Sequence, residues 1–173
     1  METDYRIITL ADAPIAERQR LVSAIKLLFQ PLGWKGADRQ KWGALADPAN
    51  IQPAFGAIPL TWVALASTEV IGSVSIVLRD RPDLDLDPWV AGLVVREDLR
   101  KRGIGTKLLH CTQNYATALA DASGYPSTER RLYLDTERLH QECQPEWYEA
   151  RGWQFFDPGE KTARLKIVMY KDI

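Results

Sequence analysis

The chain has 173 residues, 46% of them hydrophobic and 26% charged, with a net charge of −1. That length suits one domain, 1-173, with enough core to need no metal or disulfide staple. The near-zero charge excludes a whole-molecule attraction to nucleic acid or to an acidic membrane. The two cysteines, Cys111 and Cys143, form no C-x-x-C pair, so neither a disulfide framework nor a metal site is expected. The first residues lack the basic-then-apolar run of a secretion signal, and no apolar run reaches membrane-spanning length. A cytoplasmic enzyme or a small binding module is the expectation.

Tyr5 to Leu10 reads as a short strand. Asp12 and Pro14 are helix-start signals, and Leu21, Ile25, Leu28 and Phe29 then recur at helical spacing until Pro31 and Gly33. A second helix is expected from Asp38 to Ala46, ended by Asp47-Pro48, and Asn50 to Pro59 reads as loop. Trp62 to Ala66 and Val70 to Leu78 form a hairpin around Ser67-Thr68-Glu69. Val70, Val74, Ile76 and Leu78 share one face at period two. Asp80 to Pro88 is an acidic, proline-containing loop. Trp89 to Val95 is almost wholly apolar, as in a strand covered on both faces.

Arg96 to Gly105 is charged and punctuated by glycine. Thr106 to Ala122 follows as an amphipathic helix with Leu108, Leu109, Thr112, Tyr115, Ala116 and Leu119 on one face, broken at Gly124 to Ser127. Arg131 to Thr136 is the next strand and Gln141 to Arg151 a short helix ended by Gly152. Trp153 to Phe156 and Arg164 to Tyr170 close the chain as a hairpin around Asp157-Pro158-Gly159. The order β-α-α-β-β-β-α-β-α-β-β is that of an α+β fold with a mixed, mostly antiparallel twisted sheet flanked by helices.

The segment with chemical content is Leu93 to Leu109. A buried strand runs into Arg100, Lys101 and Arg102, then Gly103-Ile104-Gly105, then a helix. Glycine lets a ligand approach the backbone closely, and the amides that open a helix favour an anion. Together these read as a pyrophosphate cradle; the plainer alternative is a basic turn with a capping glycine. The spacing is neither a P-loop nor a dinucleotide fingerprint, because the G-x-x-x-x-G-K-[ST] spacing and the third glycine are both missing.

Arg100-x-x-Gly103-x-Gly105 at a strand-to-helix junction resembles the acyl-CoA motif Q/R-x-x-G-x-G/A of the GNAT superfamily of N-acetyltransferases. Trp147-Tyr148-Glu149-Ala150-Arg151-Gly152-Trp153 resembles the family's F-Y-E-x-x-G-F segment, a dozen residues beyond the fifth strand. The element order matches along nearly the whole chain. The resemblance implies a sheet splayed between the fourth and fifth strands, with acetyl-CoA in the gap as co-substrate and no metal. The backbone of Leu93, Val94 and Val95 would pair with the pantetheine arm. The amides of Arg100, Lys101, Arg102, Gly103, Ile104, Gly105 and Thr106 would hold the pyrophosphate. Tyr148 would protonate the departing CoA thiolate. Many members carry asparagine after the fifth strand; this chain reads Asp135-Thr136-Glu137 there, and the Thr136 hydroxyl is the substitute.

The implied reaction is acetyl transfer to a primary amine by direct attack in a ternary complex. A non-catalytic acyl-CoA-binding sensor is the alternative. The acceptor would be a small-molecule amine or a peptide amine, with no nucleic acid or membrane partner, and the protein a monomer or homodimer. No motif fixes a general base. Glu137, Asp135 and Asp87 are candidates, each also readable as a solvated loop charge. The aspartates of Asp80 to Pro88 either attract a cationic amine or solubilise a hairpin connection. Trp34, Trp42 and Phe55 line an acceptor pocket or belong to the core. His110 and His140 have no metal partners at ligand spacing.

Overall fold

The computed structural model describes residues 4–32, 58–123, 130–137, 145–157 and 166–173. The expected helix from Asp38 to Ala46, most of the loop from Asn50 to Pro59, and Trp34, Trp42, Phe55, His140 and Cys143 lie outside them. The described strands are β1 (Arg6–Thr9), β2 (Leu60–Ala66), β3 (Glu69–Val77), β4 (Trp89–Val95), β5 (Arg131–Glu137), β6 (Gln154–Phe156) and β7 (Lys166–Asp172). The α-helices are α1 (Ile15–Phe29), α2 (Ile104–Ser123) and α3 (Pro145–Glu149). The strands are ordered β1-β2-β3-β4-β5-β7-β6 in one open sheet. β1–β2, β2–β3, β5–β7 and β6–β7 are antiparallel, and β4–β5 is parallel. The parallel ladder holds two residue pairs, Trp89 with Tyr133 and Val90 with Leu134. The chain divides into two compact units: Met1–Ile76 with Gly92–Thr112, and Val77–Ala91 with Gln113–Ile173.

In the first unit, α1 buries Leu21, Val22, Ile25 and Phe29, the stripe its spacing predicts. β3 is buried along its length after Glu69, so both faces are covered rather than one. The buried hydroxyls that this brings are paired: Thr61 and Ser75, opposite each other in the ladder, lie 2.7 Å apart. Leu78, expected on the buried face, follows the end of β3 and is exposed. The β2–β3 register shifts between Ala64 and Leu65, leaving Ile71 without a partner on β2. Gly72 lets α2 come close to the sheet. A Cβ there would stand 3.0 Å from both Leu108 Cδ1 and the Val94 carbonyl oxygen.

The second unit is built on β5. Leu132 and Leu134 are buried with Val168 and Met169 of β7. On the alternate positions, Tyr133 lies 5.6 Å from Trp89 and 5.7 Å from Phe156, measured between ring centroids. The Arg131 guanidinium sits 4.4 Å over the ring of Tyr170. α2 begins at Ile104, two residues before its expected start. The reason is that the Gly103 carbonyl already accepts the Lys107 N–H at 3.0 Å and so opens the first turn. Of the expected stripe on α2, Leu108, Leu109, Thr112 and Ala116 are buried, whereas Tyr115 and Leu119 are only half-buried.

Candidate functional site

The first unit holds Leu93, Val94, Val95 and the whole of Arg100–Thr106. Val94 is buried, and Leu93 and Val95 on the opposite face of β4 are half-buried. One residue earlier, Gly92 adopts φ 59. A left-handed residue inside a strand bends it and interrupts pairing, which only glycine does without strain. An isolated glycine within an apolar strand pattern is the sequence sign of such a bend.

Beyond Val95 the chain makes a single 3₁₀ turn, Glu97–Leu99, anchored by buried Leu99. Arg100 is extended, and Lys101 and Gly103 then take φ 62 and φ 80. Two left-handed residues in three curl the backbone ahead of α2. The amides of Ile104 and Gly105 have no helical carbonyl four residues behind them, as at any helix start. A Cβ on Gly103 would meet nothing within 4 Å among the described residues. The outer side of the turn is therefore open, with Lys101, Arg102 and Gly103 exposed. This geometry suits an anion laid against backbone amides.

Two arginines of the turn reach carbonyls within it. Arg100 Nε donates to the Val95 carbonyl at 3.0 Å, and Arg102 Nη2 reaches the Asp98 carbonyl at 3.5 Å. Arg96, to which no motif points, makes a fork to Asp98, with Nε to Oδ1 at 2.7 Å and Nη2 to Oδ2 at 3.1 Å. Its Nη1 lies 2.7 Å from Glu69 Oε1. The hydrogen bond from Arg96 holds the Asp98 carboxyl below its ordinary range.

Thr136 and Tyr148 belong to the second unit. Thr136 is buried on β5. Tyr148 is half-buried on α3, a helix of five residues whose end is tightly fixed. The Tyr148 carbonyl accepts the N–H groups of Arg151 and Trp153 at 2.8 and 3.2 Å, and Gly152 turns the chain at φ 80. Lys171 Nζ donates to the Arg151 carbonyl at 2.6 Å. The Tyr148 ring stands edge-on to Trp147 at 4.9 Å and to Trp153 at 6.2 Å. Trp147 is half-buried and carries the Arg151 guanidinium 3.8 Å from its ring centre.

Asp83 and Asp85 of the acidic loop pair with neighbouring arginines. Arg81 pairs with Asp83 at 2.5 Å and with Asp135 at 3.5 Å, and Arg79 pairs with Asp85 at 3.1 Å. The hydrogen bond to Asp83 raises the Arg81 guanidinium above its ordinary range. Of the base candidates, Asp135 thus faces a cation, Asp87 is exposed, and Glu137 ends β5. His110 is exposed on α2. Among the described residues there is no group of three or more His, Cys, Asp or Glu that could hold a metal. None of the described helices is long and apolar enough to cross a membrane.

A family model described as an acetyltransferase (GNAT) domain matches residues 58–155. No curated protein matches the chain in sequence. Solved structures resemble it over almost its whole length. A putative acetyltransferase of the GNAT family from Desulfovibrio desulfuricans aligns with a TM-score of 0.66 and 13% identity, covering 98% of this chain and 99% of its own. A GNAT-family acetyltransferase from Staphylococcus aureus Mu50 gives 0.64 and 16%, with the same coverage. The PaiA N-acetyltransferase of Thermoplasma acidophilum, in complex with coenzyme A, gives 0.62 and 14%, again covering 98% and 99%.

Proposed function

Because the chain belongs to the GNAT family of acetyltransferases, we propose that it transfers an acetyl group from acetyl-CoA to a primary amine by direct attack in a ternary complex. The observation that carries this reading is the turn from Arg100 to Thr106. It combines a backbone curled by two left-handed residues, an open approach at Gly103 and the start of a 20-residue helix. The Arg100 N–H, expected among the donors, is instead given to the Glu97 carbonyl at 3.2 Å; the amides of Lys101 to Thr106 bind the pyrophosphate, and the backbone of Leu93, Val94 and Val95 pairs with the pantetheine arm. The coenzyme A bound to the Thermoplasma neighbour supports the ligand.

In the reaction the amine nitrogen attacks the thioester carbon, and the C–S bond breaks as the tetrahedral intermediate collapses. The amine proton leaves to water or a carboxylate. Tyr148 supplies a proton to the sulfur. A phenol with a reference pKa of about 10 is protonated at neutral pH and suits this role. Thr136 contributes a hydroxyl to cofactor binding in place of the family asparagine. The acceptor is a small-molecule or peptide amine.

The test combines calorimetric titration with CoA and an acetyl-CoA-dependent thiol-release screen over small amines and peptides. Binding of CoA with thiol release on at least one amine is expected. Failure to bind CoA refutes the reading at its root. Binding without release on any amine refutes transfer and leaves a domain that holds acyl-CoA.

A further inference from the structure

We propose that Arg96 is a positioning residue for acyl-CoA, fixing the Val95–Gly103 turn to the end of the β2–β3 hairpin so that its backbone amides are already set for the pyrophosphate. The proposal rests on the acyl-CoA reading of that turn. All of its elements lie within the first unit.

The turn requires an external brace. Lys101, which has a Cβ, is held at φ 62, and Gly103 follows at φ 80. Left-handed side-chain-bearing residues persist where their surroundings over-determine them. Arg100 and Arg102 reach the Val95 and Asp98 carbonyls, contacts that lie within the turn. Arg96 connects it outward, to the β2–β3 hairpin. Its backbone N–H donates to the Ile71 carbonyl at 2.9 Å, at the residue the hairpin bulge leaves without a partner on β2. Its side chain reaches Glu69, two residues earlier on β3, and forks onto Asp98 inside the turn. One guanidinium therefore spans from hairpin to turn with three donors. A planar, rigid fork does this and an ammonium does not.

The contacts of Arg96 are to exposed carboxylates, with Glu69 and Asp98 side chains 67% and 63% accessible. Exposed ion pairs add little to global stability. The effect of losing Arg96 should fall on the turn and on the ligand it holds. Because Arg96 is itself cationic, direct attraction of phosphate is the competing account. Glu69 separates the two. Removing its negative charge leaves Arg96 freer to attract an anion, so direct contact predicts tighter CoA binding by Glu69→Gln. Positioning predicts weaker binding.

The experiment measures CoA affinity by calorimetry, acetyl-CoA kinetics, and hydrogen exchange of the peptide covering 96–106 without ligand. For Arg96→Gln a three- to tenfold rise in Kd and in KM for acetyl-CoA is expected, with kcat within twofold of wild type and faster exchange in the turn. Arg96→Lys should recover only part of the affinity. Glu69→Gln should weaken binding in the same direction, less than additively with Arg96→Gln. Wild-type exchange and affinity in Arg96→Gln, or tighter binding by Glu69→Gln, would overturn the proposal. Should Arg96→Gln not fold, Asp98→Asn cuts the fork from its other end and is read the same way. A wild-type protein that fails to bind CoA refutes the acyl-CoA reading, whereas one that binds CoA equally well in every variant refutes only the role of Arg96.

Discussion

Gly103 allows the backbone requirement of the turn to be separated from the ligand's requirement. Its φ of 80 is a conformation that side chains resist, yet a Cβ there would meet nothing within 4 Å among the described residues. Gly103→Ala therefore costs only the left-handed conformation, about 1–2 kcal/mol. At about 2–4 °C per kcal/mol for a chain of this size, its melting temperature should fall by about 2–8 °C. Asparagine tolerates this region better, so Gly103→Asn should melt between alanine and wild type. Affinity should follow a different order. If a phosphate oxygen rests against this backbone, every side chain obstructs it, and Gly103→Asn loses CoA although it regains stability. A loss of tenfold corresponds to about 1.4 kcal/mol; alanine and asparagine should lose at least that and Gly103→Val more. The assay is thermal melting beside calorimetric titration with CoA. A folded Gly103→Val protein with wild-type CoA affinity would refute the pyrophosphate assignment. Affinity that tracks stability through the series would mean that the turn needs glycine only for its own shape.

Tyr148→Phe keeps the ring and its edge contacts with Trp147 and Trp153. It should lower kcat by about 10²-fold, the low end of general-acid effects because a thiolate leaves readily, with CoA affinity unchanged; wild-type kcat with chemistry limiting turnover removes Tyr148 from the mechanism. Gly72→Ala forces a Cβ against Leu108 and the Val94 carbonyl and should cost about 1–3 kcal/mol by overpacking; an unchanged melting temperature would show that α2 yields at that contact. Burial raises the Tyr133 phenol above its ordinary pKa. The folded state therefore keeps this proton longer than the unfolded state, and the resulting stability is complete below the unfolded pKa of about 10 and lost as pH rises through the folded value. Melting curves across that alkaline window should fall less steeply for Tyr133→Phe, and equal slopes would count against the burial argument.

Most of the fold was legible because its elements carry strong periodicities. The α1 stripe, the β2–β3 hairpin and the apolar β4 each bury residues that their patterns single out. Leu78 misled because period two says nothing about where a strand stops: β3 ends at Val77, one residue too soon to bury it. The start of α2 misled for a related reason. Glycine is a poor helix former, so Gly105 looked like turn, whereas the Gly103 carbonyl opens the helix and places Gly105 inside its first turn.

The turn itself was legible as a place and not as a mechanism. Three consecutive basic residues before a glycine suggest charge directed at a ligand, because sequence shows which charges are present and not what they face. In the structure two of the three side chains reach protein carbonyls, and the arginine that reaches the hairpin stands four residues before Arg100. Its partner Glu69 is remote in sequence and comes within reach because the β2–β3 hairpin presents it there, which no local motif could reveal. On the proposed reading, this arrangement divides the work of binding an anion. The bidentate Arg96 would hold backbone amides in the left-handed curl, and the amides, whose direction is then fixed, would provide the complementarity. Amides positioned in advance need no reorganisation when the ligand arrives, which is the condition under which such donors bind anions most effectively.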